Sequence, residues 1–348
     1  MERIPKKALS DRKYRLLCIA LFLLIIIVAI ISLALGRFSK LQIVDIPKIL
    51  LHKLIPSIEQ TWSATDEKVL IGLRLPRIIA AVVVGASLAI SGASYQALFA
   101  NPVASSDTLG VTASAAFGAI LGILLNANTV TVKLLSFVTG CIAVLLVFSV
   151  ASKLSRGRNL TVFLILIGMV ASSMFQAMLS VLKFVADPVD QLPKITYWLM
   201  GSFSNVKMRD IPFCLLFFAL GSVPLILMRW RMNLLSLSEY EAKSIGENIF
   251  VLRTITVTCA TLLTSSAVAM TRGISWVGLV IPHITRFIVG SDSRKLLPVS
   301  ALMGSLFLLI MDDIARSASV YELPISVLTS LIGAPIFFII LIRSREHL

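Results

Sequence analysis

The side chains best placed to do chemistry are Asp312 and Asp313, adjacent acids in an otherwise apolar stretch, with Arg316 close behind. Carboxylates at membrane depth are costly and mark ion paths, proton relays or buried pairs. Neighbours on a helix point about 100° apart. These two acids therefore cannot face each other as the paired aspartates of an intramembrane protease would. Asp312 precedes Arg316 by four residues, on the same helix face, and is its expected local partner. A second buried acid must be paired, protonated or wet. For Asp313 a protein-facing or cavity-facing position is favoured over a proton relay.

Little else offers catalysis. Cys18, Cys141, Cys214 and Cys259 are far apart, without CxxC spacing, and read as small buried hydrophobes. His283 reads as a packed, hydrogen-bonded residue, and His52 and His347 are distant in sequence. No HExxH or clustered His/Cys/Asp set exists, so no metal site is expected. No GxxxxGK[ST] phosphate loop and no nucleophile–base set occur, so no catalytic residue is expected. Energy for any work must come from another subunit or an ion gradient.

The elements that hold these residues are membrane helices. Of 348 residues, 57% are hydrophobic and 14% charged, against about 25% charge in soluble domains. Between Arg77 and Lys133 the only charge is Asp107. A crossing needs about 20 apolar residues. The pattern predicts ten spans: 16–36, 78–100, 108–132, 134–152, 159–182, 211–228, 254–271, 275–290, 296–315 and 324–342. The fold expected is all-α, one transmembrane domain over 1–348. Residues 37–77 form a segment outside, amphipathic over 46–58, and a loop with a helical pattern lies inside at about 229–253.

The net charge of +14 belongs to loops and lipid headgroups rather than to nucleic acid. The first apolar run is too long for a signal peptide and reads as an uncleaved helix. An even span count with basic ends, including Arg343 and Arg345, puts both termini in the cytoplasm. Lys40, Lys48, Lys53, Arg74 and Arg77 then lie outside, an excess of positive charge that needs a reason. The expected location is a bacterial cell membrane.

Four blocks carry a resemblance. The first is Leu73-Arg-Leu-Pro-Arg77 with Val84-Gly-Ala-Ser-Leu-Ala-Ile-Ser-Gly92 and Gln96-Ala-Leu-Phe-Ala-Asn-Pro102. The second is Asp107-Thr-Leu-Gly110. The third is LSLSEYEAKSIG from Leu235 to Gly246. The fourth is Gly278-Leu-Val-Ile-Pro-His-Ile-Thr-Arg286, continuing through Leu296-Leu-Pro298, Glu322-Leu-Pro324 and Gly333-Ala-Pro335. Together they resemble the FecCD/BtuC-type permeases, membrane subunits of type II ABC importers for iron–siderophores, haem and vitamin B12. The similarity runs from about residue 70 to the C-terminus.

The resemblance implies a BtuC-like fold of ten helices working as a homodimer, or as a heterodimer with a paralogous permease. Two ATP-binding subunits would carry ATP and Mg, this chain binding no cofactor itself, and an extracytoplasmic substrate-binding protein would deliver cargo. Arg74, Arg77 and Arg316 would pair with that protein's glutamates. Helix-end anchoring in the interface is the plainer reading of the first two. Leu235, Leu237, Glu239, Glu241, Ala242 and Gly246 would form the coupling segment on the ATPase, against the plainer reading of an amphipathic loop. Met169, Ser172, Ser173 and Gln176 would line the central pathway, against ordinary packing by small residues. The family has an apolar residue where this chain has Asp313. Ferric siderophore is the favoured cargo, with haem, cobalamin and molybdate open. The rival reading is a proton- or sodium-coupled secondary transporter using Asp187, Asp190, Asp312 and Asp313.

Overall fold

The computed structural model describes residues 9–35, 45–52, 60, 62–155, 160–237, 241, 244, 246–318 and 322–345. Among these the secondary structure is helical throughout. The helices are α1 (Asp11–Ala34), α2 (Asp45–His52), α3 (Ala64–Val69), α4 (Leu75–Leu98), α5 (Val111–Leu124), α6 (Thr129–Ser155) and α7 (Leu160–Val185). They continue with α8 (Gln191–Leu199), α9 (Ile211–Leu227), α10 (Ile249–Thr271), α11 (Val277–Val289), α12 (Ser293–Ser317) and α13 (Ile325–Arg345). Among the described residues seven apolar helical segments are long enough to cross a membrane, and α5, α11 and the stretch Ile325–Ile339 of α13 are three shorter apolar ones. These occupy the expected spans in order.

Three boundaries differ from expectation. The second span begins at Ala64, not near Ile78, because α3 runs into α4 through a π turn at Leu70–Arg74. The expected bound left out the charges from Asp66 to Arg77, a stretch that also holds Pro76, whose ring crowds the carbonyl four residues back. The wider π turn ahead of it lets the helix continue. Ser63 and Asp66 close a capping box at the true start. The third span stops at Leu124, and α6 begins at Thr129, ahead of Lys133. The short helix α8 was not expected. Of the amphipathic piece at 46–58, residues 46–52 lie in α2 and 53–58 are outside the described residues.

Burial separates centre from rim. In α4 and α10, 67% of the apolar window is buried, against 17% in α1 and α7. Small residues place α4 at the centre. A methyl group on Gly85 would strike the Gly304 carbonyl of α12, and one on Gly92 would strike the backbone of Gly278 in α11. Ser305 fixes the same seam by donating to the Val82 carbonyl at 2.8 Å. The rim helices instead present apolar side chains outward, such as Phe22 on α1 and Val170 and Met174 on α7. That is the arrangement a lipid or protein neighbour in the bilayer requires.

The bundle has two faces. At the N face α1, α10 and α12 begin. At the far face α1 and α12 end and α4 begins.

Candidate functional site

At the far face the three arginines singled out by sequence come together with the acids. Arg77 grips Asp312 from Nε at 2.8 and 2.9 Å and from Nη2 at 2.8 Å. Its Nη1 donates to Glu322 at 2.7 Å. Arg316 donates to Asp313 and to both the carbonyl and the hydroxyl of Ser32 on α1. Ser32 Oγ in turn donates to Asp313 at 2.7 Å. Arg74 donates to the carbonyls of Leu33 and Ala34 at 2.6 and 3.2 Å. Those carbonyls end α1, where no intrahelical partner exists and the helix dipole is negative. Three arginines thus meet three acids, Asp312, Asp313 and Glu322, within one cluster.

This arrangement corrects one expectation. Arg316 pairs with Asp313, three residues before it, and not with Asp312. Asp312, fully buried, turns towards α4 and takes Arg77. The 100° offset between neighbours that excludes a facing pair of acids lets them serve two arginines on different sides of α12. Asp313 faces the protein interior, between Arg316 and Ser32. The arginines are themselves buried: Arg74 is 4%, Arg77 8% and Arg316 9% exposed. Charges held this deep need such partners. Glu322 is the most open member, its side chain 37% exposed. Ser32 escaped sequence reasoning, and Glu322 was quoted only as part of a block.

At the N face the loop after α9 opens with a 3-10 turn, Arg231–Ser236. Leu235 sinks into the core beside Met232, while Leu237 is half-buried. Gly246 takes the left-handed conformation expected of it, φ 79°. Glu241 is exposed, and Glu239 and Ala242 lie outside the described residues. Arg231 and Glu247 approach to 3.3 Å across the loop.

A hydrogen-bonded clip missed by sequence ties this turn to α12. Asn233 Nδ2 donates to Asp292 at 2.8 Å, and Asn233 Oδ1 accepts from the Ser293 amide at 2.8 Å. Asp292 also caps α12 by accepting from the Arg294 amide. Burial alone would raise the Asp292 pKa. The Asn233 bond, the Arg294 amide and the charges of Arg294 and Lys295 outweigh it and hold the carboxyl below its ordinary 3.8. Lys295 reaches Asp11 at 2.8 Å and the Leu9 carbonyl at 2.7 Å, adding the start of α1.

The expected pathway residues lie on α7. Met169, Ser173 and Gln176 are exposed, and Ser172 is half-buried where its backbone meets Gly110. Gly168 seats α7 on the Thr108 carbonyl. Behind this contact a cavity of about 300 Å³ is lined by Ser91, Ser105, Asp107, Thr112, Ser275 and Trp276. Both α5 and α11 begin beside it. Gln96 locks the neighbouring block, donating to the Leu279 carbonyl at 3.2 Å and accepting from Arg286 at 2.5 Å. His283 packs against Phe287 and Phe337, centroids 5.4 and 5.5 Å away. Neither ring nitrogen has a partner among the described residues, so the hydrogen bond expected there is absent. The described residues hold no group of His, Cys, Asp or Glu able to bind a metal.

The comparisons agree with this architecture. The model of the FecCD transport family matches residues 23–343. The molybdate import system permease MolB of Haemophilus influenzae is 38% identical over 333 residues, 96% of this chain and 97% of that one. An iron-chelatin transport system permease of Helicobacter pylori is 36% identical over 277 residues, 80% of this chain and 83% of that one. A solved ABC transporter assigned to the metal-chelate type, in an inward-facing conformation, superposes with a TM-score of 0.82 at 36% identity, covering 94% of this chain and 98% of the other. The chain belongs to the FecCD transport family and is a multi-pass membrane permease subunit of an ABC importer.

Proposed function

We propose that this permease imports a metal chelate, with ferric siderophore as the favoured cargo, driven by ATP hydrolysed on separate subunits. The observation that carries the metal-chelate class is the full-length match to a metal-chelate type transporter, supported by the iron-chelatin relative. A second reading, molybdate, is favoured by the match to MolB along nearly the whole chain.

In this account the N face is cytoplasmic and the far face extracytoplasmic. Two permeases pair across their exposed α7 faces, and cargo passes along Met169, Ser173 and Gln176. A substrate-binding protein docks over Arg74, Arg77 and Arg316. Those arginines already have partners, so docking works by exchange. A glutamate of the arriving protein takes the place of Glu322, the exposed partner, while Asp312 keeps Arg77 in position. Rim charge pairs of this kind set orientation and on-rate more than affinity. On the other side the segment Leu235–Gly246 docks on the ATPase. Asn233 and Asp292 pass its displacement to α12, which is fused to α4 along the Gly85–Gly304 seam. The permease does no covalent chemistry and favours different conformations in different ATPase states.

The test is uptake of radio-iron, presented as a panel of ferric siderophores, with a labelled molybdate arm. Iron-starved cells with and without the gene are compared, and the ATPase is blocked in parallel. Loss of one chelate's uptake on deletion, matched by the ATPase block, supports the first reading. Loss confined to molybdate selects the second.

A further inference from the structure

Arg272 closes α10 in a backbone conformation, φ 69° and ψ −166°, that glycine alone adopts without strain. Its amide is bonded to the Val268 carbonyl at 2.7 Å, so the strained geometry is anchored. The side chain makes no hydrogen bond or ion pair with any described residue. This separates it from Arg74, Arg77 and Arg316, each held by acids or carbonyls.

The unpaired guanidinium lines a cavity of about 730 Å³ at the far face, between the α5–α6 turn, α8 and the end of α10. The volume is that of a small-molecule site. Its other polar walls are Asn126, Thr129, Lys133, Asp190, Lys194, Tyr197 and Asn205. The two lysines are balanced, Lys133 by Asp210 at 2.7 Å and Lys194 by Asp190 at 2.8 Å. Three cations and two acids leave one positive charge over, and it is Arg272. A planar guanidinium with free donors suits a carboxylate or another oxyanion through paired hydrogen bonds.

We propose that this cavity is an oxyanion site with Arg272 as its principal ligand. It goes beyond the import function and stands whichever cargo is carried. The occupant is an oxyanion, free in solution or on a phospholipid headgroup. The site is tied to neighbouring elements. The Thr271 carbonyl accepts from the Ser202 amide at 3.0 Å, and the Gly201 carbonyl accepts from the Ile325 amide at 3.1 Å. The loop bearing Arg272 is thereby joined to the end of α8 and the start of α13.

The experiment uses the purified permease in nanodiscs of phosphatidylcholine alone or with phosphatidylglycerol. Sulfate, phosphate, molybdate and citrate are titrated against chloride at equal ionic strength. Calorimetric binding and melting temperature are read for the wild type, Arg272→Gln and Arg272→Gly. The expected result is saturable binding of at least one oxyanion in phosphatidylcholine, weakened at least tenfold in both variants. Arg272→Gly should also melt higher than wild type without anion, because glycine relieves the strain. A free-anion response lost only in phosphatidylglycerol discs, and lost there in a way that Arg272→Gln does not reproduce in phosphatidylcholine, identifies an anionic lipid headgroup as the competing occupant and upholds the site. No saturable response in either disc, or equal binding by Arg272→Gln, overturns it.

Discussion

The two ends of α12 are held in opposite ways. At the far end Asp312 and Asp313 are buried and locked by Arg77 and Arg316, so four charges neutralise one another out of water. At the N end a neutral amide, Asn233, and one partly exposed acid, Asp292, make three hydrogen bonds at the surface. The difference teaches where the helix can give. Removing one partner of a buried pair leaves a charge that nothing compensates, at a cost of about 3–5 kcal/mol. Losing a cap costs about 1 kcal/mol. The far end is a fixed anchor and the N end a compliant joint, which is what the proposed docking and coupling roles require.

The largest effect should come from breaking the anchor. Arg77→Ala or Asp312→Ala should destabilise the permease by about 3–5 kcal/mol, read as a drop in melting temperature and membrane yield. Replacing both with Met and Leu should restore most of the loss. If each single variant melts like wild type, the far end is not an anchor. Asp313→Leu should cost less than Asp312→Ala, because Arg316 keeps the Ser32 carbonyl and hydroxyl.

Next in size is the seam that makes α4 and α12 one body. Gly304→Val forces a side chain against the Gly85 carbonyl and Ala89. Overpacking of this kind costs about 1–3 kcal/mol, and thermal melts should show it.

The joint is subtler. Asn233→Ala should cost about 1 kcal/mol and leave the complex with the ATPase intact, yet lower the cargo moved per ATP in proteoliposomes. Asp292→Asn should behave like wild type, since an asparagine oxygen still caps the helix and accepts from Asn233. Equal coupling in wild type and Asn233→Ala would remove the clip from the account. The smallest effect is acid sensitivity. The Asp292 pKa is lowered in the folded protein, so its contribution is present above the ordinary 3.8 and fades as pH falls through the folded value. Amide exchange in the first turn of α12 should rise only at such acid pH, and Asp292→Asn should abolish the rise.

Much of this was legible in the chain. The charge-free stretches gave the spans, because only lipid or a helix-lined core accepts them. The glycine block from Val84 to Gly92 proved to be two helix contacts, at Gly85 and Gly92, that admit no side chain. The arginines and acids were identified, but their pairing was not. Helix spacing alone favoured Asp312 for Arg316, and only the position of α4 decides that Asp312 belongs to Arg77. The start at Ala64 was hidden by the charges from Asp66 to Arg77, which a search for charge-free stretches leaves out. Asn233 and Arg272 gave no signal, since a lone amide in a loop and an arginine at a helix end are ordinary until their partners, or the lack of them, are seen.

The most direct test of the central claim is cargo uptake into proteoliposomes containing this permease, its ATPase and the binding protein, with ATP or a protonophore as the variable. The account predicts uptake that requires ATP and survives the protonophore. Uptake that proceeds without ATP and stops with the protonophore would contradict it and place the buried acids of α12 in a proton path.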